Sequence, residues 1–449
     1  MTAITAGLDF SAVRSDRRWG GRSLVGLLAL AAVAVTIATS GIVFSEPAPV
    51  DALSIGLIVL LPAIGLVAIN RALLAYGALW LVAGSGAVLA ASFSLDLKAT
   101  LTHVIVTLYL YAASFVLAAF VARSPRAHTE LILKAWTAGA LIAGGAAIIG
   151  YFDLLPGSFD MFTRYGRASG TFKDPNVLGP FIIVPLLFML NKALERPLRG
   201  MILPLAIAAF LTLAVFLSFS RGAWINLLVS LSIYGYLALA TTRKSLVRLK
   251  IAGLLAAGSI IAAGVVVAAL SSDQVANLLS ERASFDQSYD SGAEGRFGGQ
   301  EKAFDLIVEN PLGIGAQEFV SRHHPEEVHN VYLNMLLNAG WLGGGVYWIM
   351  VALTLVLGFR HAMKATETRM LFLVVFATFA ATAFEGVIID TDHWRHFYLL
   401  MAIIWGLMTA ASASAPSSER RTPRLVRPQP RTLSGRRRAS IIGPASHPA

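Results

Sequence analysis

Apolar residues run in blocks of about twenty along nearly the whole chain, separated by short polar junctions, and about twenty is what a helix needs to cross a hydrocarbon layer. The blocks fall near 24–44, 52–69, 72–92, 101–121, 131–152, 177–190, 201–219, 222–240, 250–270, 331–358, 370–389 and 397–412. They predict an all-α polytopic membrane protein with about 12 transmembrane helices. The first block follows Arg14, Arg17, Arg18 and Arg22. It is longer than a signal-peptide core and no small-residue cleavage site follows, so it reads as a retained helix. The sixth carries Pro180 and Pro185 with Pro175 just before it, and reads either as a kinked helix or as a partly re-entrant one.

Between the ninth and tenth blocks lies one long loop, 271–330, polar and flexible in composition over 284–295. Its second half changes period. Phe297, Phe304, Ile307 and Val308 recur at helical spacing, and Asn310, Pro311, Gly313 and Gly315 supply the stop. An amphipathic helix laid over the bundle is expected there. The organisation that follows is a basic N-terminus over 1–23, a membrane domain over 24–412 that contains the loop, and a Pro-, Ser- and Arg-rich tail over 413–449 expected to be disordered.

Composition sharpens this picture. The 449 residues are 56% hydrophobic and 14% charged, with a mean hydropathy of +0.67, against about 25% charged in soluble domains. A water-soluble globule is excluded. The formal charge of +10 is explained by orientation. With the N-terminus inside, Lys and Arg concentrate in the inner loops and tails, as the positive-inside rule requires, and nucleic acid is not implied. Only Asp9, Asp16, Glu130, Glu195, Glu367 and Glu419 of the acidic residues fall on that side. Both termini are then cytoplasmic, and 153–176, the junction at 220–224 and the long loop face outward. The chain has no cysteine, so disulfides and thiolate metal sites are excluded. It has no Walker loop, dinucleotide fingerprint or short-period repeat.

Cations on the acidic outer face carry the chemical interest, because a charge near hydrocarbon needs a partner or a path to water. Arg221, between two apolar blocks joined by almost no loop, reads either as an interfacial arginine snorkelling beside Trp224 or as an anion clamp. Arg164, Arg167 and Arg296 read singly as loop salt bridges and together as a fork-donor site for a diphosphate. His329 precedes the tenth block where a membrane-bound head group would sit. It reads as a capping residue or as a general base, since histidine titrates near neutrality. His323, His324, Glu326 and Glu327 crowd the same stretch, but their spacing is not that of a zinc helix. Asp390, Asp392, His393, Arg395 and His396 read either as partners that support the site residues or as a solvated turn, and the turn is favoured.

Ser-Arg-Gly-Ala-Trp at 220–224, a loop bearing Arg296, Asn-Pro-Leu-Gly-Ile-Gly at 310–315 and His-Asn-Val-Tyr-Leu-Asn-Met-Leu-Leu-Asn-Ala-Gly-Trp-Leu-Gly at 329–343, in that order, resemble the O-antigen ligase and polymerase superfamily. Gly-Thr-Phe-Lys-Asp-Pro-Asn-Val-Leu-Gly at 170–179 resembles a further segment of it. The resemblance implies a bacterial inner-membrane glycosyltransferase with a periplasmic cleft. Its donor is a polyprenyl diphosphate-linked glycan, and its acceptor is lipid A core or a growing glycan. It inverts the anomeric carbon with no metal and no cofactor. It further implies that Arg221 and Arg296 hold the leaving diphosphate, that His329 acts on the acceptor hydroxyl, and that Arg167, Arg164 and Asn330 line the substrate site. O-antigen polymerases often pair an outer-loop arginine with a glycine eleven positions on. Here Arg164, Arg282 and Arg296 meet Pro175, Ala293 and Ile307, while Arg395 meets Gly406 inside the last block. That favours a ligase slightly over a polymerase. A flippase or transporter would show repeated halves and mid-membrane charge, and a noncatalytic assembly factor would tolerate loss of Arg221 and His329.

Overall fold

A helix stands at each interval the apolar blocks mark. The computed structural model describes residues 23–270 and 295–414; the basic N-terminus to 22, the first half of the long loop and the tail from 415 lie outside the described residues. The elements in order are α1 (Leu24–Thr39), α2 (Pro49–Ala63), α3 (Arg71–Ala91), α4 (Leu97–Arg123), α5 (Pro125–Tyr151), α6 (Ser158–Phe162), the hairpin β1 (Thr163–Arg164) and β2 (Arg167–Ala168), and α7 (Pro175–Glu195). There follow α8 (Ile202–Leu217), α9 (Arg221–Thr241), α10 (Ser245–Leu270), α11 (Arg296–Glu309), α12 (Glu318–Arg322), α13 (Val331–Ala362), α14 (Arg369–Glu385) and α15 (Arg395–Ser414). Among the described residues, seven helices are long and apolar enough to cross a membrane: α3, α4, α5, α7, Leu198–Leu217, α9 and α13. Helices α1, α2 and Arg395–Ala410 are shorter apolar ones.

The re-entrant reading of the sixth block does not hold, because α7 runs unbroken through Pro180 and Pro185. Pro185 has no N–H to offer the carbonyl of Phe181 four residues back. The indole of Trp136 supplies the missing donor, Nε1 to the Phe181 carbonyl at 3.0 Å. The proline defect is satisfied from α5, which pins the two helices together.

Helices α3 and α13 come into backbone contact, and glycine makes the approach possible. A Cβ on Gly86 would lie 2.6 Å from the Ala339 carbonyl and from Gly343 Cα, and one on Gly343 2.8 Å from the Ala83 carbonyl. Within α13, Gly340 leaves helical geometry at φ 65°, ψ −177°. The kink has an identifiable cause. Trp341 N–H, which a straight helix would give to Leu337, donates instead to Pro311 at 2.9 Å, and the Leu337 carbonyl accepts from Ile314 N–H at 2.9 Å. The Asn-Pro-Leu-Gly-Ile-Gly segment is thus threaded into the break.

Helix α11 forms over the expected residues but presents a different face. Phe297, Phe304 and Val308 are 63%, 59% and 57% exposed, while Gly299, Ala303, Leu306 and Ile307 are buried. Small residues decide the rotation: the chain beside Gly299 comes so close that a Cβ there would meet His324 at 3.0 Å. Ala303 beside it has no exposed surface, and bulky phenylalanines have no room on that side.

Gly343→Val places branched atoms against the Ala83 carbonyl and is expected to cost about 1–3 kcal/mol or more through overpacking. Gly345→Ala, two residues on and with nothing within 4 Å of the point its methyl would occupy, should be neutral or stabilising by up to about 1 kcal/mol through helix propensity. Thermal unfolding of the detergent-solubilised variants checks the contrast; equal melting temperatures would count against the α3–α13 contact.

Candidate functional site

A cavity of about 640 Å³ opens where the α1–α2 junction, the first turns of α4, the segment 164–177 and the turn between α14 and α15 come together. Its lining combines two chemistries. Arg164, Arg167, Lys173 and Arg296 supply cations, and His103, Glu327, His329, Asp390, Asp392 and His393 supply carboxylates and imidazoles.

The cations are set by a short hairpin. Arg164 pairs with Arg167 across β1 and β2, leaving Tyr165 and Gly166 as a two-residue turn with φ of 55° and 68°, the positive pair such tight hairpins require. Arg164 Nη1 donates to the Lys173 carbonyl at 2.8 Å. Arg167 Nη2 donates to Asn176 Oδ1 at 2.7 Å and its Nε to the Ser218 carbonyl at 2.8 Å. The hairpin is held to the α1–α2 loop by a bridge between Val43 and Phe172 and by Thr171 Oγ1 donating to the Gly41 carbonyl.

Arg221 is the first residue of α9, half-buried, with Ser220 capping the helix by accepting from Ala223 N–H at 3.3 Å. It is not among the residues lining the cavity. Its junction is nonetheless tied to the cation set, because Ser218 is what Arg167 grips. Asn330 is the N-cap of α13: its Oδ1 accepts from Tyr332 N–H at 3.1 Å and Leu333 N–H at 3.3 Å. That oxygen is committed to its own helix, and Asn330 too is outside the lining.

His329 does line the cavity and sits in left-handed backbone at φ 51°. A non-glycine residue stays there only where its surroundings over-determine it. Asp390 Oδ2 accepts the His329 N–H at 2.8 Å, Asp390 Oδ1 the Asn330 N–H at 3.2 Å, and Gln300 Nε2 donates to the His329 carbonyl at 3.3 Å. The imidazole Nε2 lies 4.0 Å from Glu326 Oε2.

The turn after α14, expected to be solvated, is instead buried: Thr391, Asp392 and His396 are 0%, 5% and 5% exposed. Its charges find partners far away in the chain. Arg395 makes a bidentate pair with Asp51 at 2.6 and 2.7 Å and lies 3.6 Å from Glu46. His103 Nε2 lies 3.3 Å from Asp392 Oδ2, and the His103 and His393 rings stack at 3.8 Å. His103 and Asp51 carry no visible signal in the sequence, since each is a lone polar residue in or beside an apolar block.

Burial, then the charges of Asp392 and Glu327, raise the Asp390 carboxyl above the usual range; burial, then Asp392, does the same to Glu327. Burial also opposes charge on Asp392, but His103 and His393 outweigh it and hold the carboxyl at about 2. Burial, then the neighbouring His103, lowers His393 to about 4. Two triplets, His103 with Asp392 and His393, and Glu327 with His329 and Asp390, bring potential metal-ligand atoms within 4.8 Å of one another.

Residues 206–349 match the model of a family described as O-antigen ligase, which supports placing the chain in the O-antigen ligase and polymerase superfamily. The matched stretch contains Arg221, Arg296 and His329. No curated protein matches the chain.

His393 binds its proton less readily folded, at about 4, than at its ordinary 6.5. Its contribution to stability is therefore complete above about 6.5 and lost as pH falls toward 4. The stability difference between the wild type and His393→Gln should shrink over that window in pH-dependent thermal unfolding; a difference constant from pH 7 to 4 would refute it.

Proposed function

We propose that the protein transfers a glycan from a polyprenyl diphosphate carrier to an acceptor hydroxyl at the periplasmic face of the bacterial inner membrane, as an O-antigen ligase does, in assembly of lipopolysaccharide or another surface polysaccharide. One observation carries the reading: Arg164, Arg167, Arg296 and His329, far apart in the chain, line one cavity. Guanidinium forks match phosphate oxygens bidentately, and a preorganised set stabilises charge as it develops on a leaving diphosphate.

In the proposed reaction the acceptor oxygen attacks the anomeric carbon from the side away from the diphosphate. The new C–O bond forms as the old one breaks, the configuration inverts, and the electron pair leaves with the polyprenyl diphosphate. His329 takes the acceptor proton. The carrier linkage supplies the driving force, so neither nucleotide nor metal is needed. Arg221 is assigned to the diphosphate by the resemblance, supported by its place at the junction Arg167 holds. The acceptor is lipid A core in a ligase and the carrier-linked chain in a polymerase; the donor chemistry is common to both.

Purified protein supplied with carrier-linked glycan is expected to lose about 10²–10³-fold in transfer with Arg296→Ala or Arg221→Ala, and about 10²–10⁴-fold with His329→Ala. Both effects should appear without loss of folded, membrane-inserted protein. Transfer kept by a folded variant removes that residue from the mechanism, and transfer abolished by EDTA and restored by a divalent ion removes the metal-free one. In a deletion strain, uncapped lipid A core beside long carrier-linked chains identifies a ligase, and single carrier-linked repeat units a polymerase.

A further inference from the structure

The proposed mechanism uses the cations and His329 and leaves the second imidazole cluster of the cavity unexplained. That cluster is built with care. Glu318, 3% exposed, accepts at one carboxylate oxygen from Ser94 Oγ at 2.6 Å and from the Leu95 and Asp96 N–H groups at 2.7 Å each. Its other oxygen pairs with Arg322 Nε at 2.8 Å. Thr100 Oγ1 donates to the Ala316 carbonyl at 2.6 Å. The first turn of α4 is thereby clamped to 316–318. Between those anchors Gln317 takes φ 69°, and its Nε2 lies 3.4 Å from His103 Nδ1.

With the Gln317 amide donating to Nδ1, the ring proton sits on Nε2, 3.3 Å from Asp392 Oδ2. Thr107 gives its hydroxyl proton to the His103 carbonyl at 3.0 Å. Its oxygen then accepts from His393 Nε2 at 3.0 Å. Asp392 Oδ2 is buried, has no hydrogen bond of good geometry, and meets His103 only at the long distance. A charge-assisted bond would be nearer 2.7–2.9 Å. The oxygen has acceptor capacity to spare in a wall it shares with Glu327 and Asp390. The ligand that suits it is uncharged and rich in hydroxyl donors.

We propose that His103, held by Gln317 and Asp392, forms the subsite that binds the hydroxyls of the acceptor saccharide beside His329. The inference rests on the proposed glycan transfer and names the place of its second substrate. Asp392 accepts a sugar hydroxyl directly, and His103 keeps that carboxylate and the ring edge in position.

The test is steady-state transfer by the purified full chain in detergent. The acceptor probe is the delipidated surface glycan that accumulates unmodified in cells lacking the protein. His103→Gln and Asp392→Asn are each expected to raise the acceptor KM about tenfold or more, the scale of one lost hydrogen bond to a charged group, with donor KM within about twofold of wild type. Gln317→Ala, which removes only the orienting amide, should raise acceptor KM less and keep the fold if His103→Gln does not. An unchanged acceptor KM, an equal rise in donor KM, or a fall confined to kcat overturns the proposal. Calorimetric titration of the probe without donor separates the two readings. Wild-type binding without transfer from any polyprenyl carrier defeats the function but keeps the subsite, and transfer with unaltered probe binding by His103→Gln defeats the subsite alone.

Discussion

The backbone exchange at Gly340 is the constraint from which the site is built. By giving up the hydrogen bond between Trp341 and Leu337, α13 takes 311–314 as a surrogate turn, with Pro311 accepting and Ile314 donating at 2.9 Å each. Trp341 adds its indole Nε1 to the Ile307 carbonyl at 2.9 Å, so the end of α11 is fixed as well. The chain leaving that break runs directly into Ala316, Gln317 and Glu318, which clamp the start of α4 and with it His103. His329 lies just before the N-cap of the same helix. The exchange thus lies between the segments that carry His103 and His329, two imidazoles more than two hundred residues apart. Only glycine permits it: at Gly340 φ is 65°, and a Cβ there would lie 2.7 Å from the Leu312 carbonyl group.

Buried charge around this frame is tolerated because each group is multiply bonded. An isolated carboxylate in such surroundings costs several kcal/mol, and removing one partner of a buried pair costs more than the pair contributes. Glu318 meets its needs with backbone N–H groups, a hydroxyl and an arginine. Asp51 does so with the guanidinium of Arg395, the Ala48 N–H at 2.7 Å and the phenol of Tyr109. These bonds join α2, α4 and α15, whose ends surround the cavity, so the network that stabilises the charges also fixes the mouth of the site.

Much of this is legible in the sequence. Helix positions follow from apolar blocks because hydrocarbon demands internal satisfaction of every backbone group. The rotation of α11 escapes a reading by hydropathy because Phe297, Phe304 and Val308 outweigh Gly299 and Ala303 on any such scale, whereas close approach rewards the small residues. The turn at 390–396 looks solvated because its partners, Asp51 and His103, lie hundreds of residues away. The prolines of α7 suggest a break because the donor that rescues Phe181 belongs to Trp136 on another helix. In each case local pattern names the element, and a contact remote in sequence decides its environment.

The placement of Asp390 bears on the proposed reaction more than on the fold. Burial and its acidic neighbours favour a neutral carboxyl, yet both oxygens accept backbone N–H groups, from His329 and from Asn330. A proton on either oxygen would have to point away from those donors. The two backbone bonds favour the anion and so work against the rise that burial and the acidic neighbours impose. One of its oxygens lies within 4.8 Å of an imidazole nitrogen of His329, so in the proposed reaction an ionised Asp390 favours the imidazolium that forms as the acceptor loses its proton. On that proposal, the carboxyl that holds the backbone of His329 at φ 51° also lies beside the imidazole that takes the acceptor proton.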